Sequence, residues 1–208
     1  MRVTENAGAP TGRSVTATAR RAQIVGAAIE AIAELGYAQT SFAKIAARAG
    51  ISSTRLISYH FAGKDDLMRA VVDEVTTAAA AFIRPRITAV AGRTAVLAAY
   101  IEANLEFMST HAAHIRALVD IAVNARTPDG APLTVQDGPA LELLERHFRD
   151  GQAEGVFRDF DPRVMAVSLR ASIDAAAGVL AREPGADLKA YGTELVGIFE
   201  RATQGETS

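Results

Sequence analysis

Residues 37–67 read YAQTSFAKIAARAGISSTRLISYHFAGKDDL. Phe42, Ile45, Ala46 and Ala49 recur at helical spacing, Gly50 follows, and Leu56, Ile57 and Phe61 form a second apolar set. Thr40 or Ser41 can cap the first helix, expected over about Ser41–Ala49. Gly50 permits the positive φ of a tight inter-helix turn, and Ile51 packs that turn. A second short helix starts near Ser52–Thr54 and ends near Phe61. The small Ala46 and Ala49 allow the two helices to approach closely. This is the layout of a helix-turn-helix, over about 41–61, whose second helix enters the DNA major groove.

The polar residues left over suit that purpose. Ser52, Ser53, Thr54 and Arg55 cluster at the N-terminal end of the second helix, the end that meets base edges. Arg55 has the fork to read guanine O6 and N7. Lys44 and Arg48 lie four apart on the outer side of the first helix, and Tyr59, His60 and Lys64 lie where the second leaves the groove. These are expected to hold phosphates, and Thr40 is expected to offer its hydroxyl to another.

Outward from this stretch the chain reads as helix throughout, an all-α fold. Residues 1–17, rich in Gly, Ala, Ser, Thr and Pro, read as a disordered arm. A helix is expected from Thr18 to Leu35, closed by Gly36, and another from Lys64 to just before Pro85, with Asp65 and Asp66 favoured by its dipole. Further helices are expected over about 94–110, 112–125, 139–153, 162–182 and 186–202, with a break at His111 and a loop at 127–138. Asp161-Pro162 is a strong helix start.

Composition narrows the classes. The chain has 208 residues, 49% hydrophobic and 22% charged, enough to bury a sizeable core. The absence of Cys removes disulfides and thiolate chemistry and suits a reducing cytoplasm. No signal peptide is visible at the N-terminus, and no apolar run is expected to span a membrane. Residues 1–64 hold eight Lys/Arg against three acids, whereas the remainder holds 14 against 21. With the cut moved to Ile83 the N-terminal excess shrinks to nine against seven. A basic N-terminal part on an acidic body points to a polyanion partner for the first part alone.

Residues of about 18–78 resemble the DNA-binding domain of TetR-family transcriptional regulators. The resemblance rests on Thr40-Ser41-Phe42, Ile45-Ala46, Ala49-Gly50-Ile51-Ser52, and Leu56 to Phe61 followed by Gly63-Lys64 and Leu67. The interval from Gly50 to Phe61 is one residue longer than the family's usual spacing, which bears on which of Ser53, Thr54 and Arg55 faces the bases. The resemblance implies a homodimeric, all-helical repressor or activator that binds a palindromic operator in double-stranded DNA. It also implies modulation by a small-molecule ligand held in a domain covering 79–208, with no other cofactor.

In that family the last two helices of each subunit pair into a four-helix dimer bundle. Here Ala175 and Gly178 on the first, and Leu188, Tyr191, Leu195 and Phe199 on the second, are the expected contacts. For the ligand, Tyr100, Asn104, Phe107, Met108, His111, Ile115, Met165, Leu169, Arg170 and Asp174 are the expected lining, with an Arg170–Asp174 ion pair as the structural alternative. Two rival readings stand beside this one. His111 and His114, three apart with Asp120 beyond, suggest a metal-responsive regulator but lack a placed third ligand, so no metal site is assigned. A helix-turn-helix acting through protein contacts alone leaves its basic residues without a role. No phosphate loop, nucleophile elbow or carboxylate pair marks an enzyme.

Overall fold

A computed structural model describes residues 12–127, 130, 131, 133, 138–183 and 185–205, with side chains from residue 15 onward. The described residues form nine α-helices: α1 (Gly12–Leu35), α2 (Phe42–Arg48), α3 (Thr54–His60), α4 (Lys64–Thr88), α5 (Arg93–Thr110), α6 (Ala112–Asn124), α7 (Gly138–Ala153), α8 (Pro162–Arg182) and α9 (Leu188–Thr203). The fold is all-α, as the periodicity predicts. The expected N-terminal arm lies outside the described residues over 1–11, and 12–17 belong to α1, which therefore starts well before Thr18.

α1 is the hub. One side packs on α2 and α4, the other on α6. Ile24, Ala28, Ile32 and their neighbours Val25, Ile29 and Ala31 are buried, so its apolar surface wraps around two sides of the helix. α4 packs on α5 and α6, α5 on α9, and α7 on α8.

α4 departs from expectation by running through Pro85 to Thr88. Proline removes one intrahelical donor and crowds the carbonyl four residues back. Tertiary packing overrides that cost here. The spacing Val75, Ala79, Ile83, Ile87 carries the core-facing stripe past the proline. The Arg86 guanidinium donates to the Phe82 carbonyl at 2.7 Å and to Glu106 on α5, fastening the last turns.

α8 is a second departure. By length and composition it is apolar enough to cross a bilayer, although no such run was expected. Its only mid-helix charges, Arg170 and Asp174, pair with each other, and α5, α6, α7 and α9 pack on it. Part of its apolar surface remains uncovered: Val164 is 62% exposed and Val167 is also exposed, joined by Ile198 of α9 at 50%. The helix start at Asp161 is as expected, its carboxylate accepting from the Arg163 and Val164 amides.

Candidate nucleic-acid interface

The helix-turn-helix is built from local chemistry. Ser41 caps α2, its Oγ accepting from the Lys44 amide at 3.4 Å. Ile45 and Ala46 turn inward, and Gly50 takes φ +64° so that the Ile51 amide reaches back to the Ala46 carbonyl. The Gln23 side chain donates to the Ala49 carbonyl, tying the end of α2 to α1. Ser53 caps α3, placing Ser52 and Ser53 in the turn and Thr54 and Arg55 at the first two helical positions. Ile57 and Phe61 seat α3, and the Arg21 guanidinium lies 4.7 Å over the Phe61 ring.

The outer side of this seat is polar. Ser52, Ser53, Thr54, Arg55, Ser58 and Tyr59 are all exposed, Tyr59 to 80%. Arg55 and Tyr59, four apart, share one helix face. His60 is half-buried and meets the Tyr59 ring edge-on. The side chains of Lys44 and Arg55 are exposed and make no ion pair among the described residues.

Three residues expected at this surface are otherwise engaged. Thr40 is 3% exposed, and its hydroxyl donates to the Gly36 carbonyl at 2.8 Å, because a buried hydroxyl needs an internal partner. Arg48 pairs with Glu34 and, at 3.6 Å, with Glu30 of α1. Its charge is largely answered within the protein. Lys64 donates to the Tyr37 carbonyl at 2.9 Å with its ammonium 3.9 Å over the Tyr37 ring, and burial lowers its pKa against the opposing pull of Asp65. Burial likewise raises the Tyr37 phenol.

Tyr37 also ties this module to the later helices, a contact the sequence did not suggest. Its amide donates to Asp120 on α6, whose other oxygen accepts from Asn124. Beside this contact a cavity of about 320 Å³ opens between α1, α6 and α8. A smaller one, about 160 Å³, lies between α4, α5 and α7 beside Leu97, Tyr100 and His147.

Of the expected ligand-lining residues, Tyr100 lines the smaller of these cavities and Ile115 the larger. Arg170 is tied to Asp174, Tyr100 Oη and Asn104 Oδ1, a polar knot inside the helix packing. Burial opposes the Arg170 charge, but the bonds to Asp174 and Tyr100 outweigh it and raise its pKa. Phe107 stacks on His111 at 4.3 Å, beside Phe82 and His114, and Met108, Leu169 and half-buried Met165 pack in the core. Among the described residues no third His, Asp or Glu completes a metal-ligating group with His111 and His114. Asp120 is instead the acceptor for Tyr37.

The expected dimer contacts also divide. Leu188, Leu195 and Phe199 are buried within the chain, because the apolar stripe of α9 faces α5. Tyr191 is half-buried and its hydroxyl donates to the Ser172 carbonyl. Ala175 is exposed and Gly178 half-exposed on the open side of α8. Val164, Val167 and Ile198 were not foreseen there. For Val164 and Val167 the available signal was two valines three apart, on one face of α8.

A short helix with a buried back and a polar, solvent-facing N-terminal end, braced by a second helix across a glycine turn, defines a helix-turn-helix protein. The sequence model of "Bacterial regulatory proteins, tetR family" matches residues 24–71, so the N-terminal part of the chain is similar to that family. The HTH-type transcriptional regulator BetI of Cronobacter sakazakii is 34% identical over 105 residues, 49% of this chain and 50% of that protein. BetI of Escherichia coli is 41% identical over 58 residues, 28% of this chain and 29% of that one. The chain thus matches at most about half the length of these curated relatives. Over most of its length it shares the fold of the fatty acid degradation regulator FadR of Bacillus halodurans, at TM-score 0.76 and 19% identity, covering 87% of this chain and 94% of that one. FadR of Bacillus subtilis, solved in complex with stearoyl-CoA, gives TM-score 0.75 at 19% identity, covering 88% and 99%.

Proposed function

We propose that the protein is a cytoplasmic transcriptional repressor that binds a palindromic operator as a homodimer and is modulated by a small organic effector. One observation carries the reading: Thr54, Arg55, Ser58 and Tyr59 stand exposed on a helix end whose back is buried by Ile57 and Phe61. Arg55 is the base reader, and Lys44 and Tyr59 hold the phosphates on either side. His60 completes the edge where α3 meets α4.

A two-fold dimer sets two such helices against successive major grooves about 34–36 Å apart. The uncovered face of α8 and α9, with Val164, Val167, Ala175, Gly178 and Ile198, supplies a self-complementary apolar surface for that pairing. The DNA-reading domain is taken as about 18–78 and the sensing and dimerising domain as 79–208. Support for an organic effector comes from the stearoyl-CoA complex of the similarly folded Bacillus subtilis FadR.

The test is selection of DNA from a random pool by the purified full-length protein, at two salt concentrations. The reading predicts a two-fold symmetric sequence whose affinity falls steeply with salt, as released counterions require. Recovery of no preferred sequence, with or without cell extract present, overturns it.

A further inference from the structure

The larger cavity has an amphipathic lining. Ile32 of α1, Val119 of α6 and Leu180 of α8 form apolar walls, while Arg116, Asp120 and Asn124 follow one another four residues apart along α6 at its edge. Its volume, about 320 Å³, is at the small end of ligand sites. One feature of the lining points to a ligand with a negative head. Arg116 stands four residues before Asp120, the spacing of a helical ion pair, yet the pair is not formed. The Asp120 carboxylate is turned away to the Tyr37 amide and the Asn124 side chain. Arg116, an exposed residue at the edge of the cavity, therefore has no ion-pair or hydrogen-bond partner among the described residues, beside walls that would accept a hydrocarbon body.

We propose that this cavity between α1, α6 and α8 binds an amphipathic organic carboxylate, its head on Arg116, and that occupation loosens Asp120 from the turn at Tyr37. The second half rests on the reading of the chain as an operator-binding regulator. Ala33 of α1 and Gly36 just past its end line the same cavity, so a molecule lodged there bears directly on the helix end from which the Tyr37 turn departs. That turn leads into α2, so the site sits one hydrogen bond from the DNA-reading module.

Calorimetry of the full-length protein with octanoate, and with 1-octanol as the uncharged counterpart, tests the site. Octanoate binds, and octanol binds about tenfold or more weakly, the worth of a charge-assisted bond. Arg116→Ala lowers octanoate affinity by a similar factor, and Ala181→Phe, at the exposed rim, blocks it. Both positions are on the surface, so the urea midpoint stays at the wild-type value. Absence of octanoate binding at millimolar concentration, or binding indifferent to both substitutions, overturns the site. For the coupling, octanoate weakens wild-type binding to its selected DNA, whereas Asp120→Ala binds that DNA more weakly already and responds little to octanoate. Octanoate bound at the site without effect on DNA affinity overturns the coupling alone. A protein that selects no DNA sinks the regulator reading and the coupling together, while the calorimetry still decides the site.

Discussion

The backbone amide of Tyr37, in the turn entering α2, donates to the carboxylate of Asp120, 83 residues further along the chain on α6. Lys64 grips the same residue from the other side, through the Tyr37 carbonyl and the face of its ring. The turn is thus held at once by the first residue of α4 and by the middle of α6. Charge-assisted bonds to a backbone amide contribute more than neutral ones.

Asp120→Ala removes the acceptor and leaves the Tyr37 amide unpaired. Asp120 is only half-buried, so the expected loss is about 1–2 kcal/mol in urea unfolding. Hydrogen exchange at Tyr37 should rise more than at Ile24 or Ile101 in the core. Uniform acceleration across all three would mean that the bond is not a local fastening.

Arg55 and Arg48 should separate in DNA binding. Arg55→Ala costs about 1–3 kcal/mol on the selected sequence and little on random DNA if its guanidinium reads a base. Arg48→Ala costs less on either DNA, because its charge is already answered by Glu30 and Glu34. Fluorescence anisotropy with both DNAs decides, and equal losses for the two variants would contradict the pairing seen on α1.

Val167→Glu places a charge on the open side of α8. Sedimentation should show a monomer with unchanged helical content. Leu195→Glu, on the buried stripe of α9 at 6% exposure, should unfold the chain instead. A Val167→Glu protein that remains dimeric places the subunit contact elsewhere.

Gly151 and Gly26 predict opposite signs. A Cβ at Gly151 would overlap the ring of Phe157, so Gly151→Ala should lower stability by about 1–3 kcal/mol through overpacking. Gly26 sits in mid-α1 with open space around it, and Gly26→Ala should raise stability by about 0.5–1 kcal/mol. Thermal melts of the two variants check both.

His147 gives the protein an acid-side weakness. Burial lowers its pKa, partly offset by its hydrogen bond to the Arg93 carbonyl at 3.1 Å. The unfolded chain therefore takes up the proton first as pH falls. The contribution of the neutral ring is fully present above the unfolded value, about 6.5, and is lost as pH drops through the lower folded one. Urea midpoints should fall between pH 7.5 and 5.5, and His147→Gln, which keeps a donor but does not titrate, should flatten that fall.

What the sequence disclosed follows the range of the forces involved. The bounds of α2 and α3 were legible to within a residue because Ser41, Gly50 and Ser53 act on their immediate neighbours. Pro85 misled because its local penalty is overcome by tertiary packing against α5, which local propensity does not weigh. Arg48 looked free because its acids lie a helix earlier, and Asp120 looked like a weak metal ligand because its partner is far away in the chain. On α9 the apolar stripe itself was correctly read. Periodicity says that a face is covered but not by which helix, so Leu188, Leu195 and Phe199 were assigned to a second subunit when α5 covers them.

The position of α1 bears on how freely this reading head can be transplanted. Ile32 and Ala33 face a cavity shared with α6 and α8 while α1 also packs on α2, and Asp120 comes from outside the first 78 residues. A fragment ending there would carry an oily flank stripped of its cover and a turn missing one of its two fastenings. Grafted onto a foreign sensor, it would need a replacement for α6 bearing an acid opposite Tyr37. The reader is therefore not a detachable cartridge: whoever exchanges its sensor must bring a matching helix to lie along α1.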